Sequence, residues 1–135
     1  MHTTPVPSDA FATNRLVELL ALDNHGTLLA LERSFSTGVS NDTRQFLVST
    51  KGAADVSGLP ALQGETYQPL QKSLLLDFAD LGITLDNIEG MTFGLDLADG
   101  RRSLVLVAVD NFSDTQLTQF LAFGLDLGPS SVDIL

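Results

Sequence analysis

Short apolar runs separated by turn residues recur along the chain. Leu16–Leu22 and Thr27–Leu31 flank the tetrapeptide Asp23-Asn24-His25-Gly26, in which Asn and Gly tolerate the positive φ of tight hairpins. An apolar stretch with a turn signal at its centre predicts two antiparallel strands rather than one broken helix. Arg44–Ser49 and Ser73–Phe78 are predicted to be the third and fourth strands.

A second set of apolar runs follows the first. Ile88–Phe93, Ser103–Val109 and Thr118–Leu125 predict three further strands. The central run reads Leu-Val-Leu-Val-Ala-Val and is apolar at every position, so we expect both of its faces to be buried. No clear fourth strand follows, because the residues over 128–131 are typical of a turn.

The two sets resemble each other in sequence. Val17–Leu22 can be laid over Ile88–Phe93, Ser34-Phe35-Ser36 over Asn111-Phe112-Ser113, and Arg44–Leu47 over Thr118–Leu121. Four-stranded antiparallel sheets repeated around an axis are the blades of a β-propeller, and such a unit needs neighbours to bury its faces. We therefore predict an all-β fold with about two antiparallel, four-stranded propeller blades. Two blades do not close a ring, so missing N-terminal blades, several copies or a smaller open sandwich are the alternatives.

This pattern also predicts how the chain is organised. We expect a flexible N-terminal arm over residues 1–14, a first blade over 15–78, a second blade over 79–127 and a tail over 128–135. The polar stretch Thr37–Thr43 is predicted to be a loop within the first blade.

Composition and charge restrict the class of partner. The chain has 135 residues, with 17 acidic and 7 basic residues, a formal net charge of −10 and no cysteine. Binding to nucleic acid or to anionic lipid needs Lys and Arg, and no apolar run reaches the roughly 20 residues that span a bilayer. We therefore expect neither nucleic acid nor membrane insertion, and the N-terminal residues do not resemble a signal peptide. A metal ion or basic molecule suits the charge best, although acidity also serves solubility.

Polar residues concentrate where predicted strands begin and end. Asp86-Asn87-Ile88-Glu89-Gly90 places two carboxylates and an amide directly before an apolar run. In an antiparallel sheet, the loop that enters the first strand and the loop that leaves the second lie at the same end of the sheet. The residues predicted to lie at this end are Glu18, Glu32 and Arg33 in the first blade and Asp86, Asn87, Glu89, Asp110 and Asn111 in the second.

These residue types suit a hard cation and an ester substrate. Carboxylate and amide oxygens are the ligands of Ca²⁺, and a bound metal ion polarises a phosphoryl or acyl oxygen. We expect Asp86, Asn87, Glu89 and Asp110 as metal ligands, Glu89, Asp110 and Arg33 as catalytic residues, and Glu32, Arg33 and Asn111 as substrate-binding residues. The competing interpretation is structural: Asp and Asn cap turns, and Glu89 pairs with Arg33 or accepts hydrogen bonds from backbone amides.

Other catalytic arrangements are weakly represented. Val56-Ser57-Gly58 lacks the first glycine of a nucleophile elbow, and His25 is interpreted as a turn residue. We expect Phe112, Phe120 and Phe123 to pack in the core or between blades.

Several of these segments resemble the phytase-like esterase family. They are Val17–Leu22, Leu31–Phe35, Asp55–Leu59, Asp86–Gly94, Asp99–Leu104 and Thr118–Leu121. The resemblance runs from about Arg15 to Leu125 and corresponds to the C-terminal part of the family domain. It implies a fold similar to β-propeller phytases, ester or phosphoester hydrolysis and, in many members, export from the cell. It also implies an acidic residue at position 109, where this chain has Val109 followed by Asp110.

The sequence is therefore compatible with two functions. The first is metal-assisted hydrolysis of a small-molecule ester or phosphoester. The alternative is a non-catalytic binding or assembly module that associates through exposed blade edges, for example as a homo-oligomer.

Overall fold

The computed structural model describes residues 11–126, which form an all-β chain of seven strands and one short 3₁₀ helix. The chain divides into two compact units, one up to residue 83 and one from residue 84 on. No helix within the described range is long and apolar enough to cross a membrane. The predicted tail over 128–135, and the predicted arm as far as residue 10, lie outside the described residues.

The first unit is a four-stranded antiparallel sheet in the order β1-β2-β3-β4. Its strands are β1 (Ala12–Ala21), β2 (Thr27–Ser36), β3 (Ser40–Ser49) and β4 (Gln71–Asp77). A 3₁₀ helix over Phe78–Leu81 follows β4. Each strand therefore pairs with the one before it in sequence, and the predicted hairpin is the first of these pairs.

The hairpin between β1 and β2 is confirmed at the predicted turn. Asp23 Oδ1 accepts hydrogen bonds from the backbone N–H groups of His25 (2.7 Å) and Thr27 (3.0 Å). Hydrogen bonding, chiefly from Thr27, holds the pKa of the Asp23 carboxyl below its ordinary value. Gly26 closes the turn with a φ of +92°, a conformation that favours glycine.

The hairpin between β2 and β3 is tighter than predicted. The prediction of a loop over Thr37–Thr43 was wrong, because β3 already begins at Ser40. Val39 N donates to Ser36 O at 3.0 Å, and Gly38 has a φ of +85°. A left-handed glycine allows three residues to connect two long strands, which turns the polar stretch into strand.

Both faces of the first sheet carry buried apolar side chains. On one face, Ala30, Phe46 and Val48 form a core cluster. On the other face, Leu29 and Leu31 are fully buried. Since neighbouring residues of a strand point to opposite faces, this sheet has no purely polar face.

The second unit is a three-stranded antiparallel sheet in the order β5-β6-β7. Its strands are β5 (Asn87–Phe93), β6 (Arg102–Val109) and β7 (Gln119–Leu125). They match the three predicted runs to within one residue at each end. The buried apolar residues of this sheet are Ile88, Met91, Leu104, Leu106 and Ala108. The valines between them on β6 are half-buried, so its two faces are unequally covered.

The first strand of each sheet contains a register shift. The shift lies between Leu16 and Glu18 in β1 and between Ile88 and Gly90 in β5. If the two shifts are aligned, Val17 corresponds to Glu89. The sequence overlay instead aligns Glu18 with Glu89, which is a difference of one residue. Because a step of one residue exchanges the two faces of a strand, the repeat stays a prediction.

We expect Gly26→Ala to destabilise the protein more than Gly38→Ala does. Both glycines have positive φ, but a Cβ at Gly26 would lie 1.9 Å from Thr50 Oγ1, whereas nothing lies within 4 Å at Gly38. Gly38→Ala should lower the free energy of unfolding by about 1 kcal/mol. Gly26→Ala should cost about 1–3 kcal/mol more, because of the clash. Urea unfolding measures both, and equal losses would contradict the assignment.

Candidate functional site

The predicted acidic residues of the second unit lie at one end of its sheet. Asn87, at the start of β5, is opposite Val109, at the end of β6. Asp86 directly precedes this pair, and Asp110 and Asn111 directly follow it. The antiparallel register therefore brings together the two segments that the sequence places 20 or more residues apart.

Asp86 holds the loop that leaves β6. Its Oδ2 accepts from the backbone N–H of Leu117 at 2.9 Å, and its Oδ1 accepts from Gln116 Nε2 at 2.6 Å. Oδ1 also accepts from the backbone N–H of Asn87 at 2.8 Å. In addition, Asp86 N donates to Gln119 Oε1 at 2.8 Å. Both carboxylate oxygens are thus engaged by donors within the same unit.

Asn87 and Glu89 interact with each other. The buried amide of Asn87 donates through Nδ2 to Glu89 Oε1. Glu89 lies at the register shift of β5, between Ile88 and Gly90. A bulge turns a side chain away from its regular direction, and the Glu89 side chain is exposed.

Asp110 and Asn111 begin the loop between β6 and β7. Asp110 Oδ1 accepts from the backbone N–H of Phe112 at 3.0 Å, and Asp110 O accepts from Ser113 N at 2.8 Å. Asn111 Nδ2 donates to Gln116 Oε1 at 3.2 Å. These contacts are those of a turn-capping Asp and Asn, the role that the structural interpretation assigned to them.

The carboxylate and amide side chains of the second unit are not arranged as the ligands of a cation. The carboxylate of Asp86 is used by the loop, and the side-chain amide of Asn87 is turned toward Glu89. Within residues 11–126, no group of three or more His, Cys, Asp or Glu side chains is placed to hold a metal ion. Calcium binding stays a prediction.

In the first unit, the predicted residues lie inside strands rather than at strand ends. Glu18 is within β1, and Glu32 and Arg33 are both within β2, which continues to Ser36. Glu32 and Arg33 are buried. As consecutive residues of a strand they point to opposite faces, so the structure does not bring them into one site. The end of β2 was predicted too early because Glu32 and Arg33 interrupt its apolar run.

Glu32 forms a buried ion pair that the sequence did not suggest. Its side chain is 0% exposed, and Oε2 lies 2.6 Å from Lys72 Nζ on β4. The Lys72 ammonium also lies 4.1 Å from the centre of the Phe46 ring, within range of a cation–π interaction. Lys72 thus reaches across β3 to neutralise the carboxylate. A contact between residues 40 positions apart leaves no local signal in the sequence.

Further polar atoms are buried on the same face of this sheet. Asn14 is directly opposite Ser34, and Ser34 is two residues from Glu32 on the same strand. Asn14 Oδ1, Ser34 Oγ and Glu32 Oε1 are buried and have no hydrogen-bond partner among residues 11–126. Glu32, Ser34 and Ser36 are alternate residues of β2, and this spacing is the signal in the sequence for a row of polar side chains on one face.

Comparison with known proteins identifies the family. The architecture is that of an all-β module built from antiparallel sheets. A family model described as phytase-like, esterase-like activity of phytase, matches residues 1–112. The chain belongs to this family, and the match extends through β6 but not to β7. Neither curated proteins nor solved structures give a significant match.

We expect Lys72→Met to be strongly destabilising. It would leave the buried Glu32 carboxylate uncompensated, which typically costs about 3–5 kcal/mol. Adding Glu32→Gln to Lys72→Met should restore part of this loss, because neither position of the pair then carries a charge. Urea unfolding of the two single variants and the double variant measures the coupling. Lys51→Met, at an exposed lysine, is the control, and an equal loss there would contradict the role of the pair.

Proposed function

We propose that the two sheets are two blades of a β-propeller and that the chain is a phytase-like module for ester or phosphoester hydrolysis. The observation that carries the proposal is the combination of the family match with two up-and-down antiparallel sheets. In a propeller, each blade packs between two others. Sheets with apolar side chains on both faces are consistent with such packing.

Exposed apolar side chains on the outer strands support the need for neighbours. Leu74 on β4 is 56% exposed, and Phe120 on β7 is 73% exposed. Large apolar side chains at these positions gain stability when another surface covers them. The proposal therefore places further blades against these outer strands.

Within this module, Glu89 and Asp110 are the residues best suited to handle a proton. Glu89 has an exposed carboxylate at a bulge, at the end of the sheet where Asp110 follows β6. A carboxylate there would act as general base toward a water molecule. If a cation binds, it supplies polarisation of the ester oxygen, and ligands beyond those of this chain would have to complete its shell.

We expect hydrolysis of p-nitrophenyl acetate or p-nitrophenyl phosphate to fall at least tenfold in Glu89→Gln and in Asp110→Asn. Loss of a general base typically costs about 10²–10⁴-fold in rate. Each assay is run with CaCl₂ and with EDTA, since the predicted metal requires a rate difference between them. Glu65→Gln, at an exposed acid in the β3–β4 connection, is the control. A wild-type chain without turnover in either condition overturns the hydrolase proposal for this chain.

A second candidate is a non-catalytic assembly module. It is favoured by the absence of a metal-type acidic cluster within the described range, together with the exposed apolar residues of the outer strands. Here the blade edges and faces serve to associate with other chains.

For the assembly module we expect light scattering to give a molar mass that is a multiple of 14.4 kDa and that rises with concentration. Phe120→Ser should shift the equilibrium toward the monomer, because it removes an exposed apolar side chain of the outermost strand. Phe11→Ser, at another exposed phenylalanine, is the control outside β7. A monomer at all concentrations would contradict self-assembly.

A further inference from the structure

The loop between β6 and β7 presents an aromatic side chain to solvent. Phe112 is fully exposed, and Leu117 in the same loop is 67% exposed. Phe112 was predicted to pack in the core or between blades, and the structure does not place it in the core. We propose that this loop is a docking surface for a basic polypeptide segment, with Phe112 as its apolar anchor.

The loop is fixed in place before any partner binds. Asn111 and Gln116 are joined through their side chains, which closes the loop across its base. Asp86 then holds Gln116 and Leu117 from the start of β5. A loop that is already ordered loses little conformational entropy on binding.

The backbone at the exposed aromatic is unusual. Asn111 and Phe112 have φ values of 49° and 58°, in the left-handed region that bulky residues seldom adopt. The hydrogen bond from Phe112 N to Asp110 Oδ1 maintains this conformation. Within the fold the Phe112 side chain remains fully exposed, so this backbone conformation does not bury the aromatic ring. Strain of this kind concentrates at functional sites, and exposed aromatics are frequent anchors of protein interfaces.

Charge selects the kind of partner. Asp110 and Asp114 are in the loop, and no Lys or Arg occurs after Arg102 in the sequence. A second copy of the chain, itself with a net charge of −10, offers no charge complementarity to this acidic loop. An anionic phosphoester would be repelled for the same reason. A segment that combines Lys or Arg with apolar residues matches both features of the surface.

The probe is a fluorescein-labelled 12-residue peptide of alternating Lys and Leu, followed by fluorescence anisotropy. We expect Phe112→Ser to weaken binding about tenfold, because burial of an aromatic side chain is lost. Asp114→Asn should weaken it about threefold at low ionic strength and less at 0.5 M NaCl, where charges are screened. The matched controls are Leu95→Ser, at an apolar residue that is 90% exposed, and Asp96→Asn beside it. Both controls should bind like the wild type.

Asp86→Ala tests whether the ordered loop matters. We expect faster hydrogen exchange at the Leu117 amide together with weaker peptide binding, since the acceptor of that amide is removed. The proposal is overturned if the peptide does not bind, or if Leu95→Ser and Asp96→Asn weaken binding as much as the loop variants. It is also overturned if Phe112→Ser abolishes self-association in light scattering and leaves peptide binding unchanged. None of these outcomes depends on hydrolysis, so the docking surface and the hydrolase proposal stand or fall separately.

Discussion

Apolar side chains on both faces of a sheet are the constraint from which the rest of this structure follows. In the first sheet, Ala30 and Phe46 are buried on one face, while Leu29 and Leu31 are buried on the other. Such a sheet is stable only if both faces are covered, which leads to layered architectures. The exposed Leu74 and Phe120 on outer strands show where the cover provided by this chain stops. These exposed side chains support the proposal of neighbouring blades on packing grounds, independently of the family match.

Polar residues had to be accommodated within this framework, and most of them serve it. Glu32 is tolerated at full burial because Lys72 neutralises it. The Asp86 carboxylate accepts hydrogen bonds from the loop after β6 in place of water. A buried ion pair contributes little net stability compared with an apolar pair of the same volume. What the pair does in this structure is join β4 to β2 across β3, through Lys72 and Glu32.

The strands could be predicted from the sequence because each has a local cause. Asp23 and Gly26 specify a hairpin wherever they stand between apolar runs, and the valines of β6 specify a strand. The end of β2 could not be predicted, since Glu32 and Arg33 are strand residues whose burial depends on distant partners. The register shifts at Val17 and Glu89 also escape prediction, because one extra residue leaves the apolar pattern almost unchanged. Contacts such as Asp86 with Leu117 depend on which strands pair, and therefore on the whole sheet.

The electrostatics of the second unit bear on which substrate class the proposed hydrolase would accept. Glu89 and Asp110 mark an end of the sheet to which no Lys or Arg of the later sequence contributes. A phosphoester dianion approaching this end meets carboxylates of its own sign, and the low dielectric of a covered site would strengthen the repulsion. A neutral carboxylic ester meets no such barrier. Hydrolysis of a phosphoester would require positive charge from a cation or from other blades, whereas an ester would require only a base and an oriented water molecule.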